Sequence, residues 1–214
     1  MQQTPIRNPL QDHLLAPENC VFAFIDYQPE QFLGVQSKDR EELLSNAVML
    51  GKIAHDFQVP VVLSTVGVQL GVNQATSPEL RNALGNAEEI DRTTLNSWED
   101  QDFVRAIKKT GRKKIIMAGL WTEVCVAFPA LDAIKDGFDV YFVVDAIGGV
   151  TKESHETAVQ RMIQAGAKPL TSLALACELQ RDWARNHGDT LRGILRGYFQ
   201  NRHKLREASI AARH

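Results

Sequence analysis

From Cys20 to Ile25 every side chain is apolar, Asp26 closes the run, and similar runs recur along the chain between stretches of helical spacing. That recurrence limits the possible folds more than any other feature. Residues 59–65, 113–120 and 138–144 are β-rich runs without polar alternation, and 88–92 and 167–170 are weaker ones. Residues 40–57, 97–110, 124–135 and 153–165 have helical patterns, and Ser77-Pro78-Glu79 opens a short further helix. Ser97 is the expected cap of the second pattern, and Gly137 and Gly166 are expected terminators. Strands apolar on both faces need cover on both. The expected fold class is therefore α/β, a three-layer, doubly wound, mostly parallel sheet flanked by helices.

The chain divides by pattern into an N-terminal arm (1–18), an α/β body (19–178) and a helical extension (179–214). In the extension Leu191, Ile194, Leu195, Tyr198 and Phe199 form one apolar stripe, expected to pack on the body or on a neighbouring subunit. The same segment holds eight Lys or Arg against three acids, although the whole chain carries only −2. So balanced a total gives no reason to expect a nucleic-acid partner. No run reaches the ~18 apolar residues of a membrane span, and residues 1–18 have no apolar signal core. Three cysteines, an odd number, suit a reducing compartment, so a cytoplasmic location is expected.

In an open parallel sheet the ligand crevice lies at the carboxyl ends of the strands. The side chains that end the runs are Asp26, Ser64 with Thr65, Asp91 with Arg92, Trp121 with Thr122, and Asp145. Asp26 is followed by Tyr27-Gln28-Pro29-Glu30, so there is no glycine-rich nucleotide loop. After the fourth strand, Gly119-Leu120-Trp121-Thr122-Glu123-Val124-Cys125 leads straight into a helix. With Thr122 as cap, Cys125 would lie in the first turn, where free N–H groups and the helix dipole favour a thiolate and an adjacent oxyanion. Pro129 cannot donate to the Cys125 carbonyl, so a bent first turn is expected.

Cys20, at the start of a core strand, and Cys177, in an apolar helical run, read as structural. Asp26 is either a turn acid or the group that takes the Cys125 proton. Arg92 is either a surface charge or the residue that holds Asp26 and polarises a substrate. His155 reads as a helix-start cap or a crevice group, and Asp145 as a turn acid. Tyr27, Phe32, Trp98 and Trp121 are candidate pocket walls, with core packing as the alternative.

The segments Phe22-Ala23-Phe24-Ile25-Asp26-Tyr27-Gln28 and Met117-Ala118-Gly119-Leu120-Trp121-Thr122-Glu123-Val124-Cys125-Val126 resemble the isochorismatase-like cysteine hydrolases. Ala127-Phe128-Pro129-Ala130-Leu131, Gly137-Phe138-Asp139-Val140 and Ala176-Cys177-Glu178-Leu179-Gln180-Arg181-Asp182-Trp183 extend the likeness to the YcaC-like branch, over about residues 18 to 185.

The resemblance implies Cys125 as nucleophile and Asp26 as the acid of an Asp-Lys-Cys triad. It also implies a cis peptide at Trp121-Thr122 and an oxyanion hole from N–H groups there and at Cys125. The lysine is the departure. No Lys lies between Lys52 and Lys108, and Arg92 takes the matching place, keeping the charge but not the proton exchange. Residues 66–76 contain no His or Asp, so neither a metal nor another cofactor is expected. The expected activity is hydrolysis of a small amide or carbamoyl-like substrate through an acyl-enzyme on Cys125, in a homo-oligomer (tetramer or octamer). The rival is an oligomeric binding or scaffold protein with little turnover. A thioredoxin-type enzyme is disfavoured because no Cys-x-x-Cys occurs.

Overall fold

The computed structural model describes residues 7–211. Its chain order is β1 (Cys20–Ile25), α1 (Pro29–Gly34), α2 (Arg40–Asp56), β2 (Val61–Val66), α3 (Pro78–Ala83), β3 (Glu89–Arg92) and α4 (Gln101–Lys109). There follow β4 (Lys114–Gly119), α5 (Ala127–Lys135), β5 (Asp139–Val143), α6 (Lys152–Gln164), β6 (Lys168–Leu170), α7 (Ser172–Gln180) and α8 (Gly188–Ala211). The six strands form one sheet in the order β3-β2-β1-β4-β5-β6, and every pairing is parallel. The sheet is thus wholly rather than mostly parallel, because each strand is joined to the next through a crossover with a helix.

Each face of the sheet has its own core. Cys20, Phe22 and Phe24 of β1 pack on the side of α2, α7 and α8. Val21, Ala23 and Ile25 alternate onto the side of α4, α5 and α6. All six β1 side chains are buried, which explains the continuous apolar run. Burying one side chain of Phe or Ile size contributes about 1.5–3 kcal/mol before chain entropy is counted.

Strand order reverses between β1 and β4, and a crevice at such a reversal opens at the strands' carboxyl ends. Ile25 pairs with Gly119 there, and the Leu120 N–H donates to the Ile25 carbonyl at 3.0 Å. A Cβ on Gly119 would lie 2.5 Å from that carbonyl oxygen, so this approach requires glycine. The exits of β1 and β4 are held side by side.

Several local expectations change. Ser97 is not a cap: it lies in a 3₁₀ turn begun by Asn96, and Asp100 caps α4 by accepting from the Phe103 N–H. A carboxylate at Asp100 reaches the free N–H groups of α4 more directly than a hydroxyl one turn earlier. Cys177 is exposed, on the outer side of α7, and not the core residue its neighbours suggested. In the extension, Leu191, Leu195 and Tyr198 are buried on the body and Ile194 packs beside them, whereas Phe199 stays 52% exposed. Asn201 donates to Ser45 of α2 at 2.7 Å, and Arg202 pairs with Glu42 of α2.

Candidate active site

Asp26 follows β1 with φ at +59°, a left-handed conformation that turns its side chain off the strand and that aspartate tolerates better than most residues. Its N–H still donates to the Ser64 carbonyl at 2.9 Å, so the turn is anchored on β2. Arg92, ending β3, donates Nη1 to one Asp26 oxygen at 2.6 Å and Nη2 to the other at 2.8 Å. Nη1 also reaches the Ser64 hydroxyl at 3.1 Å and the Thr65 carbonyl at 3.0 Å. Both side chains are fully buried. Burial works against the Arg92 charge, but the hydrogen bonds and charge of Asp26 outweigh it and hold the guanidinium above its ordinary value. Arg92 is therefore no surface charge.

Cys125 lies in a π-helical turn, Thr122–Val126, between β4 and α5. The bend expected from Pro129 takes this form: the Val126 N–H reaches back to the Trp121 carbonyl at 3.3 Å, a wider turn than an α-helix makes. Cys125 is 5% exposed, and its thiol lies within reach of the Asp26 carboxylate's charge and hydrogen bonding. Burial, then the charge of Asp26 and its hydrogen bond from the thiol, push Cys125 well above the ordinary thiol range. Arg92 and the Trp121 N–H act in the opposite direction but do not win. The expectation of a resting thiolate is corrected: a helix terminus cannot offset desolvation plus a neighbouring carboxylate, and the resting sulfur keeps its proton.

The oxyanion donors change as well. The Thr122 N–H is committed to the Gly148 carbonyl at 2.9 Å, which leaves Trp121 and Cys125 as candidates. The cis peptide is Leu120-Trp121, one bond earlier than Trp121-Thr122. Leu120 still belongs to the sheet, bonded to Ile25 and bridged to Gly148, so the chain departs at the very next peptide.

Thr122 is fully buried, and its hydroxyl lies 2.8 Å from Nδ1 of His155. The cap of α6 is Thr151, so His155 is not the capping residue. Burial and the nearby Lys38 lower His155 to about 4, so it is neutral near pH 7. Asp145 joins the β5 exit to α7 by accepting from the Ser172 N–H and hydroxyl, both at 2.8 Å.

The four aromatic candidates separate. Tyr27 is fully buried and donates its hydroxyl to the Ala146 carbonyl. Phe32 packs 5.9 Å from it, centroid to centroid. The Trp121 indole donates to the Gln31 carbonyl at 2.8 Å and lies on Gly34. Trp98 points elsewhere: it packs on Phe138 and Phe103 and donates to Asp136 at the far end of α5. A nine-residue helix separates it from the cysteine turn, roughly 13 Å. Its neighbours in sequence, Ser97 and Glu99, gave no hint of that direction.

Residues 20–174 match the family described as Isochorismatase domain. The chain belongs to the isochorismatase family. It is 41% identical over 170 residues to the probable hydrolase YcaC of Escherichia coli K12, covering 79% of this chain and 81% of that one.

Among solved structures it resembles YcaC from Pseudomonas aeruginosa, described with hexane-2,5-diol and covalent acrylamide, at 36% identity and TM-score 0.83 over 92% of this chain and 96% of that one. It also resembles the Escherichia coli YcaC structure, described as an octameric hydrolase of unknown specificity. That likeness has 35% identity and TM-score 0.80, over 95% of this chain and 98% of that one. The chain is accordingly an isochorismatase-family hydrolase of the YcaC-like kind.

Within this isochorismatase-family chain, Ser64 and the Thr65 carbonyl are site partners through Arg92, and the only sequence signal for them was their place at a strand's carboxyl end. Thr122 paired with His155 had no local signal at all. Among the described residues, no three His, Cys, Asp or Glu side chains gather to hold a metal, and no helix is long and apolar enough to cross a membrane.

Proposed function

We propose that this chain is a cysteine hydrolase of small amides or carbamoyl-like compounds, working through a covalent acyl-enzyme on Cys125 as a cytoplasmic homo-oligomer. One observation carries the reading: the Cys125 thiol, the Asp26 carboxylate and the Arg92 guanidinium meet at the carboxyl end of the central strands. In the first step the thiol proton passes to Asp26 as sulfur attacks the substrate carbonyl carbon. The N–H groups of Trp121 and Cys125 receive the developing oxyanion. When the tetrahedral adduct collapses, the C–N bond breaks and the leaving nitrogen takes the proton from Asp26. Water, giving its proton to Asp26, then attacks the thioester; the acid departs and sulfur is reprotonated.

Arg92 orients and stays charged throughout, because a guanidinium does not exchange its proton in this range. Asp26 alone carries the proton traffic. Phe32 and Trp121 provide apolar surface beside the reacting carbon, which suits a compact substrate. The covalent acrylamide described for the Pseudomonas relative supports a reactive nucleophile in this architecture.

The test is intact-protein mass spectrometry after exposure to a panel of small amides. Transient acyl adducts are expected on Cys125 and should vanish in Cys125→Ala. If none forms under any condition while the fold is intact, the scaffold reading replaces the hydrolase.

A further inference from the structure

We propose that His155 is a positioning residue for Cys125: its imidazole anchors Thr122, and through Thr122 the turn that presents the sulfur and the Trp121 N–H. This rests on the proposed nucleophile. Three observations carry it.

First, the cysteine turn is weakly held by its own helix. Pro129 has no N–H for the Cys125 carbonyl, and the wide turn replaces the regular ladder. Its shape must come from its neighbours. Second, those neighbours converge from one direction. The Thr122 N–H goes to the Gly148 carbonyl at 2.9 Å, and the Val150 N–H goes to Glu123 Oε1 at 2.9 Å. Between these bonds Gly149 is wedged so closely that a Cβ would lie 2.4 Å from Glu123 Oε2 and 3.0 Å from the His155 Cβ. The loop before α6 and the first turns of α6 thus clasp Thr122 and Glu123. Third, the clasp has one side-chain anchor on Thr122 itself. The Thr122 hydroxyl is buried and lies 2.8 Å from His155 Nδ1, so removing the imidazole would leave a buried hydroxyl without that bond.

The charged groups near His155 pull in opposite directions. Lys38, from the segment between α1 and α2, opposes protonation; Glu156, on α6 itself, favours it weakly; Glu123, from the cysteine turn, flanks the same glycine. Burial decides the balance against the charged form. A neutral ring exchanges one hydrogen bond with the Thr122 hydroxyl and leaves the turn without an added charge. That neutrality matters because the sulfur must approach a carbonyl beside an existing carboxylate.

The experiment uses the full chain with Cys177→Ser, so that only one accessible thiol remains under study. Acrylamide is the probe: sulfur adds to its terminal carbon, and the thiol proton ends on the carbon next to the amide. Saturation kinetics at pH 7.5 separate binding from the bond-forming step. His155→Ala is expected to lower the maximal rate of Cys125 modification at least tenfold with little change in half-saturation. His155→Asn, which keeps a polar atom near the Nδ1 position, should recover most of the loss. Thr122→Val should match His155→Ala, and the double variant should be no slower than either alone.

An unchanged maximal rate in folded His155→Ala, or additive losses in the double variant, would overturn the proposal. So would failure of His155→Asn to recover. If the parent chain takes no acrylamide on Cys125, the nucleophile reading fails instead. His155 is then judged by amide hydrogen exchange over residues 121–126, which His155→Ala should speed at least tenfold and His155→Asn should not. Unchanged exchange would refute the anchor as well.

Discussion

Arg92 grips both carboxylate oxygens of Asp26 across 66 residues of sequence, at 2.6 and 2.8 Å, with neither side chain reaching solvent. A planar two-pronged donor matches a carboxylate as a single ammonium cannot. The pairing fixes the direction in which Asp26 faces sulfur.

Arg92→Ala leaves Asp26 buried without its cation and should cost about 3–5 kcal/mol of stability, read from urea unfolding. Arg92→Lys should keep the fold but lower turnover of any acylating amide roughly tenfold or more, because one of the two bonds is lost. Full activity in Arg92→Lys would show that the fork geometry is unimportant.

Thiol modification by iodoacetamide should proceed in an order set by exposure. Cys177 reacts first, because it lies on the surface. Cys125 follows, and its rate climbs with pH through 9 without levelling, since its thiol is held above the ordinary range. Cys20 reacts last: it is fully buried, and its sulfur donates to the Ala16 carbonyl at 3.1 Å. A plateau below pH 8 for Cys125 would contradict the electrostatics of the turn.

His155 links acidity to stability with a definite sign. Its folded value lies near 4, below the ordinary 6.5, so the unfolded chain binds the proton more readily. Its contribution is complete above pH 6.5 and is lost as pH falls through about 4. With partial solvent screening allowed for, the loss should reach about 1–2 kcal/mol. Urea unfolding at pH 7.5 and pH 4.5 should show it, and His155→Asn should flatten that difference. Equal slopes in the two proteins would exclude His155 as the source.

Gly34 is where α1 receives the Trp121 ring, and a Cβ there would lie 2.6 Å from the indole. Gly34→Ala should displace the ring from Gln31, cost about 1–3 kcal/mol and shift tryptophan emission. Unaltered emission and stability would mean that the indole has room to move.

Much of this arrangement was legible in the sequence, and for one reason. Parallel strands buried on both faces must be continuously apolar, so β1 and β4 announced themselves, and the residues that end them had to face the crevice. Asp26, Arg92 and Cys125 follow from that rule together with the family likeness. Pro129 likewise foretold a bent turn through its missing donor.

What stayed hidden depended on partners far along the chain. The thiol's protonation is set by burial together with Asp26, and the occupied N–H of Thr122 by Gly148. The turn of Trp98 towards Asp136 is set by α5, and the exposure of Cys177 by the side of α7 that faces solvent. No local spacing encodes any of these.

Because β1 is flanked by β2 on one side and β4 on the other, its ladder stays half-finished until most of the polypeptide has been made. At about 5–20 residues per second on the ribosome, that is an interval of seconds in which a greasy edge waits for its mate. Chemical competence thus waits for the closure that brings Asp26 to Cys125. A nascent fragment cut short before β4 should have neither a finished core nor Cys125 itself.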